Sequence, residues 1–165
     1  MLRISKIVDY GTLVLTHMAS SPERLFSVAD LAAVIGLGQP TVSKVLKALG
    51  RRDLVRSSRG PHGGYILARP ASQISIAQVV DALEDQPFGM TECSSAPGAC
   101  SFEANCHGRS NWQRINAIVR RTLDDISIAD MVRPIPLDYP MHERPVIKPQ
   151  AGGKDITLTT WSLHK

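Results

Sequence analysis

Two short helical patterns, separated by a tight turn and followed by a glycine-rich hairpin, constrain the fold of this chain most strongly. The first pattern has Ser27 as a predicted N-cap and Gly36 as a stop, with a predicted buried stripe of Leu31, Val34 and Ile35. The second, over residues 40–50, has Pro40 at a favourable first position and apolar residues at i, i+3, i+4 and i+7, namely Val42, Val45, Leu46 and Leu49. Together the two patterns predict a helix-turn-helix.

The residues that follow change from a helical period to a strand-like period. Segments 54–58 and 65–68 are predicted strands, and the glycine-rich segment 60–64 between them is a predicted turn. An amphipathic helix over residues 3–19 precedes the helix-turn-helix, and Asp9 lies about 140° away from the apolar face of that helix. Three helices followed by a hairpin predict a winged-helix arrangement.

Helical patterns return after the hairpin, on both sides of a segment that has no periodicity. Ser75, with Gln78 three residues later, predicts a capped helix, and residues 87–110 form a predicted loop. A heptad-like seam then predicts a long helix over about 109–126, and Ser127 caps a short closing helix; the seam consists of Trp112, Ile115, Val119, Leu123 and Ile126. The expected fold class is mostly α with a small β-hairpin: a winged helix-turn-helix domain plus a long C-terminal helix.

These patterns divide the chain of 165 residues into four predicted segments. Residues 1–86 form a winged helix-turn-helix domain, and residues 87–110 form a cysteine-rich loop. Residues 111–133 form the long helix and its closing helix, and the proline-rich residues 134–165 form a disordered tail. The length leaves no room for a large two-domain enzyme, and we expect no catalytic activity.

The chain has no membrane-spanning pattern, since no run approaches the roughly 18 apolar residues that a spanning helix needs. Asp9 and His17 interrupt the apolar residues near the N-terminus, which argues against a secretory signal. Because the cysteines are also poorly suited to disulfides, these features predict a cytoplasmic protein that does not contact a membrane.

The helix over residues 40–50 is expected to present a polar and cationic face opposite its apolar stripe. Hydroxyl groups near its start can reach base edges in the major groove, while lysine and arginine side chains bind phosphates. A net charge of +4 favours a polyanionic partner, although an ordinary solvated helix also carries lysines. The basic hairpin that follows shifts the balance towards double-stranded DNA. The candidate DNA-binding residues are Gln39, Pro40, Thr41, Ser43, Lys44, Lys47, Arg51, Arg59 and His62.

The three cysteines, Cys93, Cys100 and Cys106, lie within fourteen residues of the predicted loop. Their thiolates suit iron–sulfur clusters, zinc or copper(I), whereas an odd number is a poor disulfide framework. Six and five residues separate successive cysteines, which is wider than the paired knuckles of structural zinc sites. The spacing therefore favours an iron–sulfur cluster over zinc, and zinc over thiol redox chemistry. A cluster usually takes four protein ligands, so a fourth is needed, and His107 and Asp9 are the candidates.

Taken together, these residues resemble the Rrf2 family of winged-helix transcription regulators, from Met1 to about Val132. The resemblance lies in the opening LRISK, the wing RGPHGGY, the three-cysteine loop and the closing IADMV. It implies a homodimer whose long C-terminal dimerisation helices pair along the seam. It also implies promoter operator DNA as the partner and no small-molecule substrate. Further motifs are similar to the branch of the family that regulates Suf cluster-assembly genes: DYG at 9–11, PTVSK at 40–44, TEC at 91–93 and NWQRIN at 111–116.

The resemblance implies that Cys93, Cys100 and Cys106 bind the cluster, and it leaves the fourth ligand open. Isc-type members place a histidine three residues after the last cysteine, where this chain has Arg109. His107 would be a substitute with a different geometry. Nitric-oxide-sensing members use an aspartate of the first helix, donated across the dimer, and Asp9 aligns with it and is narrowly favoured.

The implied function is a DNA-binding repressor, or a dual regulator, that senses iron–sulfur cluster status and controls suf genes. The first cysteine spacing, six residues rather than the commoner five, leaves [2Fe–2S] and [4Fe–4S] clusters open. The alternatives are a nitric-oxide-sensing or redox-sensing repressor of the same family, or a zinc-based or thiol-based regulator without a cluster.

Overall fold

The computed structural model describes residues 4–60, 63–84, 88–96 and 98–133, all of which belong to one compact unit, Met1–Pro134. The predictions for His62 and for the tail at 134–165 lie outside the described residues. The helices are α1 Lys6–Ala19, α2 Val28–Ile35, α3 Gln39–Arg51, α4 Ile76–Leu83, α5 Glu92–Ser95, α6 Arg109–Asp125 and α7 Ile128–Val132. Strands β1 Val55–Ser58 and β2 Gly64–Leu67 form the hairpin between α3 and α4. The mostly helical fold with a small antiparallel hairpin is confirmed.

Capping residues set the boundaries of most helices. Ser27, Ser75 and Ser127 each accept the backbone N–H of the third residue that follows, and the side chain of that residue accepts the N–H of the serine. Gly36 ends α2 in the left-handed region, at φ 75°. Helix α1 begins at Lys6 rather than at the predicted residue 3, because the Ser5 side chain accepts the N–H of Val8.

The predicted buried stripe of α2 is wrong at one position. Leu31 and Ala32 are buried, whereas Val34 is 62% exposed. Ala32, and not Val34, completes the buried face of α2. Val34 follows Ala32 by two residues, which is about 200° around the helix, so it faces away from the core. Helix α3 keeps the predicted apolar stripe, but it continues past the predicted stop at Gly50 to Arg51.

The hydrophobic core lies where α1, α3 and α4 meet, and α7 closes it. Side chains from all of these elements and from their connections are fully buried, including Val14, Leu15, Leu46, Leu49, Ile74 and Ile128. Gly11 lies where α4 crosses α1, and a Cβ atom at this position would overlap with the side chain of Leu83. The glycine is therefore required for the close approach of these two helices.

The hairpin is attached to the helix-turn-helix through its second strand. Strand β1 pairs with β2 in the register that runs from Val55 opposite Leu67 to Ser58 opposite Gly64. Phe26, just before α2, exchanges two backbone hydrogen bonds with Tyr65, at 2.9 and 2.8 Å. A Cβ atom at Gly64 would lie 2.7 Å from the carbonyl oxygen of Phe26, so glycine permits this contact. The anchored hairpin has a defined position relative to α3.

Helix α6 is attached to the winged-helix part by polar contacts and not by a buried face. Arg120 binds Asp81 of α4 through two hydrogen bonds, and α6 has no fully buried residue. At its end, Ile76 donates its backbone N–H to Ile126, and Ile128 donates its N–H to Ile74. The apolar side chains of α6 are consequently left largely at the surface of the protomer.

Candidate nucleic-acid interface and cysteine segment

The exposed face of α3 carries the polar and cationic residues that its sequence predicts. Thr41 and Ser43 are half-buried near the start of the helix, while the longer polar side chains and Pro40 are exposed; these are Gln39, Lys44, Lys47 and Arg51. No described side chain caps the first turn of α3. The geometry combines short hydroxyls at one end of the helix with cations along it.

The hairpin adds cations beside this helix. Arg56 on β1 and Arg59 just after it are exposed. Gly60 has φ 123°, in a region that favours glycine, and its carbonyl accepts the N–H of Gly63 at 2.9 Å. Because its glycines remove side-chain bulk, the tip can approach another molecule closely.

The cations of the two elements carry charge that the described residues leave unneutralised. Ion pairs between described residues involve only Arg109 and Arg120 on the basic side. The cations of α3 and the hairpin take part in none of them; they are Lys44, Lys47, Arg51, Arg56 and Arg59. Positive charge on one helix and one hairpin tip is the pattern that binds a phosphate backbone.

The segment predicted as a loop over 87–110 contains two short elements that the sequence did not indicate. Helix α5 holds Cys93, which is only 8% exposed and whose Sγ lies 3.3 Å from the Thr91 hydroxyl oxygen. A single 3₁₀ turn, Glu103–Asn105, lies between the other two cysteines. Cys100 is half-buried and Cys106 is exposed, so the three thiols differ in their access to solvent.

The last cysteine lies at the start of α6, next to the first residue of the apolar seam. Its Sγ lies 3.9 Å from the position that a Cβ atom of Gly108 would occupy, and Trp112 Cδ1 lies 3.6 Å from the same position. A thiol and a seam residue therefore flank one glycine. The structure thus places part of the cysteine segment directly beside the seam.

The proposed fourth ligands lie apart from this segment or at its edge. Asp9 is exposed on α1, and His107 is exposed directly after Cys106. Among the residues that the structure describes, no three cysteine, histidine, aspartate or glutamate side chains come together as a metal site. The three sulfur atoms are close in sequence but are not arranged as one ligand set in this protomer.

Polar contacts that the sequence did not indicate hold this segment against α6. The carboxylate of Glu103 binds the guanidinium of Arg109 at 2.7 Å and the N–H of Gly98 at 2.6 Å. The side-chain oxygen of Asn116 accepts the N–H of Met90 at 3.1 Å. These partners are not related by a helical or strand period, so the sequence pattern does not predict the contacts between them.

The seam of α6 is exposed along much of its length. Trp112 is 44% exposed and Ile115 is 40% exposed, with Ile126 also exposed. Val119 and Leu123 are half-buried, and Ile118, outside the predicted seam, is exposed as well. An apolar stripe on a helix of 17 residues marks an interaction surface.

Among the described residues, no helix is both long and apolar enough to cross a lipid bilayer.

Comparisons with known proteins agree with this geometry. The profile of the Rrf2 family, described as iron-dependent transcriptional regulator, matches residues 4–134. The structure of CymR (YrzC), the global cysteine regulator of B. subtilis, is 25% identical, with a TM-score of 0.64, over 80% of this chain and 97% of that chain. The structure of T. potens IscR is 28% identical, with a TM-score of 0.62, over 79% of this chain and 86% of that chain. A putative transcriptional regulator from Listeria innocua, 19% identical over 93% of this chain and 96% of its own, has a TM-score of 0.64 and shows the shared fold.

Proposed function

Because the chain belongs to the Rrf2 family of transcriptional regulators, we propose that it is a homodimeric repressor whose operator affinity depends on an iron–sulfur cluster. The single observation that carries this proposal is the proximity of Cys106 and Trp112, whose side chains both come within 4 Å of the position that a Cβ atom of Gly108 would occupy. A ligand of the cysteines would act beside the seam through which two protomers pair. A ligand that binds one geometry of the dimer more tightly than another would favour that geometry. Operator affinity would then change by up to the difference between the two binding free energies of the ligand.

The DNA reader is helix α3 together with the hairpin. Thr41 and Ser43 lie where a helix that enters the major groove meets base edges. Lys44, Lys47 and Arg59 bind phosphates, which fixes the position of the helix without reading sequence. His62, which belongs to the same wing in the sequence, is part of this proposal. The exposure of these cations and their lack of ion pairs with described residues support the assignment.

The second copy binds along the exposed seam of α6. A helix of 17 residues without a fully buried side chain contributes little to the core of one protomer. Its seam has the heptad-like spacing of paired helices, so its burial in a dimer removes apolar surface from water. A two-fold dimer presents two α3 helices to half-sites that are about 34 Å apart or a multiple of that distance.

The chemistry of the donor set fits an iron–sulfur cluster. Cys93, Cys100 and Cys106 provide three soft sulfur donors on one segment, and iron–sulfur clusters are held by cysteine thiolates. A bound cluster would supply a redox-active centre that oxidants and nitric oxide can alter. The chain supplies the cysteines, while Asp9 of the opposite protomer is the favoured fourth ligand and His107 the alternative. The exposure of Asp9 leaves it accessible to a second copy.

The genes under control are those of the Suf assembly system, and the protein works in the cytoplasm. Support comes from the motifs at 9–11, 40–44, 91–93 and 111–116, which are similar to those of Suf regulators. The Suf system assembles iron–sulfur clusters. The fraction of regulator molecules that carry a cluster would therefore report how much cluster the controlled genes have supplied. Residues 1–86, 87–110 and 111–133 would be the DNA-reading, sensing and pairing segments.

A thiol-based regulator without a cluster is the second candidate. The graded exposure of the three thiols favours it, since the accessible Cys106 would react before the buried Cys93. The similarity to the global cysteine regulator CymR is consistent with it. The same seam and DNA reader would serve this function.

The iron, sulfide and zinc content of the purified protein distinguishes a cluster-binding regulator from a thiol-based one. The full chain is purified anaerobically, its visible absorption is recorded, and iron, acid-labile sulfide and zinc are measured per chain. Brown protein with sulfide and iron in comparable amounts supports the cluster. Colourless protein with one zinc per chain contradicts it. Metal-free protein with three titratable thiols is subjected to reconstitution with iron and sulfide, and failure to take up a cluster then contradicts the proposal and supports thiol chemistry.

A further inference from the structure

Glu103 and Arg109 occupy equivalent positions relative to two different cysteines. Each follows a cysteine by three residues, and each donates its backbone N–H to the carbonyl oxygen of that cysteine. The distances are 3.1 Å from Glu103 to Cys100 and 3.3 Å from Arg109 to Cys106. Each cysteine therefore starts a tight turn that ends at a charged residue.

The side chains at the ends of these turns bind each other. The guanidinium Nη2 of Arg109 lies 2.7 Å from Oε1 of Glu103. The other carboxylate oxygen accepts the N–H of Gly98 at 2.6 Å, and the Glu103 side chain is only 10% exposed. One carboxylate thus joins the chain before Cys100, the turn after it and the first residue of α6. We call this set of contacts the Glu103–Arg109 clasp.

The clasp differs from an ordinary surface ion pair. Its carboxylate is largely removed from water, forms an ion pair with the guanidinium of Arg109 and accepts one charge-assisted hydrogen bond, from the N–H of Gly98. Gly98 has φ 83°, a conformation that other residues adopt at a cost, so the backbone here is adapted to present its N–H. Cys93 lies outside the clasp, on α5, where the Thr91 hydroxyl contacts it.

We propose that Glu103 and Arg109 are positioning residues that hold Cys100 and Cys106 as one rigid unit at the start of α6. This rests on the proposed role of the cysteines as ligands. The clasp fixes two of the three sulfur-bearing residues relative to the seam, and Cys93 is placed independently. Arg109, the first residue of α6, orders the segment by its ion pair with Glu103.

The first test measures the reactivity of each thiol in the reduced, metal-free, full-length protein. Iodoacetamide labelling is followed by mass spectrometry for Cys93, Cys100 and Cys106 in the wild type and in Glu103→Gln, Arg109→Gln and the double variant. We expect severalfold faster labelling of the half-buried Cys100, little change at the already exposed Cys106 and at Cys93, and no further increase in the double variant. Glu23→Gln, an exposed glutamate in the α1–α2 connection, is the matched control.

Unchanged labelling rates in all three variants would overturn the proposal, and so would a uniform increase at all three thiols. Gly98→Ala provides a second route that leaves every charge in place. A Cβ atom there meets nothing within 4 Å among the described residues, so the substitution acts only through the backbone conformation. We expect it to accelerate labelling of Cys100 more than that of Cys93, whereas equal rates contradict the clasp.

The second test uses reconstituted protein and separates this inference from the proposed function. If the wild type takes up a cluster, Glu103→Gln is expected to lose its visible absorption severalfold faster in air than wild type or Glu23→Gln. Equal lifetimes would contradict the positioning role. If the wild type takes up no cluster, the proposed function fails, and the labelling pattern alone decides whether the clasp exists.

Discussion

Arg120 of α6 binds Asp81 of α4 through two parallel hydrogen bonds, Nη1 to Oδ1 at 2.6 Å and Nη2 to Oδ2 at 2.5 Å. The hydrogen bonds that Arg120 donates to the Asp81 carboxylate raise the pKa of Arg120 further above its usual value. The guanidinium also contacts Asp124, one turn later on α6. This pair joins the helix that carries the seam to α4 of the winged-helix part.

Loss of this pair is expected to lower stability modestly. Asp81→Asn should reduce the free energy of unfolding by about 1 kcal/mol, because both side chains are partly exposed and the bidentate geometry is favourable. Urea unfolding at fixed protein concentration measures the change. Asp125→Asn, which changes an exposed aspartate of α6, is the control and should alter stability little. Equal stability of Asp81→Asn and the wild type would show that the pair contributes nothing.

Cations of the DNA reader should contribute one phosphate contact each. Lys44→Ala or Arg59→Ala is expected to weaken binding to operator and non-operator DNA alike and to lower the salt slope of log affinity by about one unit. Fluorescence anisotropy over a series of salt concentrations gives both quantities. Arg121→Ala removes an exposed arginine of α6 and should leave the slope unchanged. If a variant binds with unchanged affinity and an unchanged salt slope, the substituted residue does not contact DNA.

Disruption of the seam should separate the protomers. Ile115→Asp places a charge on the exposed apolar stripe of α6, and we expect the dimer dissociation constant to rise roughly tenfold or more. Sedimentation equilibrium measures it. Ala117→Asp introduces the same charge on the opposite side of the same helix and should leave the dimer intact. If both variants behave as the wild type, the second copy does not bind along this seam.

The capping contacts between Ser127 and Asp130 at the start of α7 should make the stability of the protein depend on pH. Hydrogen bonds from the side chain and backbone of Ser127 lower the pKa of Asp130 below its ordinary value of 3.8. The carboxylate therefore stabilises the folded chain above that value, and the contribution is lost as pH falls through the lower folded pKa. We expect Asp130→Asn to lower the melting temperature at pH 7 and to match the wild type in strongly acidic solution. A difference that does not change with pH would contradict this account, and Asp125→Asn is again the control.

Local sequence signals predicted much of the fold because capping acts over a few residues. Ser27, Ser75 and Ser127 each form the predicted N-terminal contacts with a residue three positions away. The hairpin was predicted with boundaries within one residue, since glycines at 60 and 63–64 mark its turn. The burial of Val34 was predicted wrongly because the neighbours of α2, and not its own periodicity, decide which residues face the core.

The site could be predicted only in part from the sequence. The cysteines and the cationic face of α3 stood out by residue type and spacing. The Asp81–Arg120 pair and the Glu103–Arg109 clasp depend on how separate segments approach each other, and no periodic pattern encodes that approach. The fourth ligand is harder still, since Asp9 reaches the cysteines only if a second protomer brings it there.

Whether the cluster controls DNA binding is decided by comparing operator affinities of the protein with and without it. Cluster-loaded and metal-free dimers are titrated anaerobically, at one fixed salt concentration, into suf promoter DNA and into unrelated DNA of equal length. We expect the two forms to differ severalfold in affinity for the promoter and much less for the unrelated sequence, because the cluster would change the dimer geometry and leave the phosphate contacts intact. Equal promoter affinity of the two forms would contradict cluster-dependent regulation.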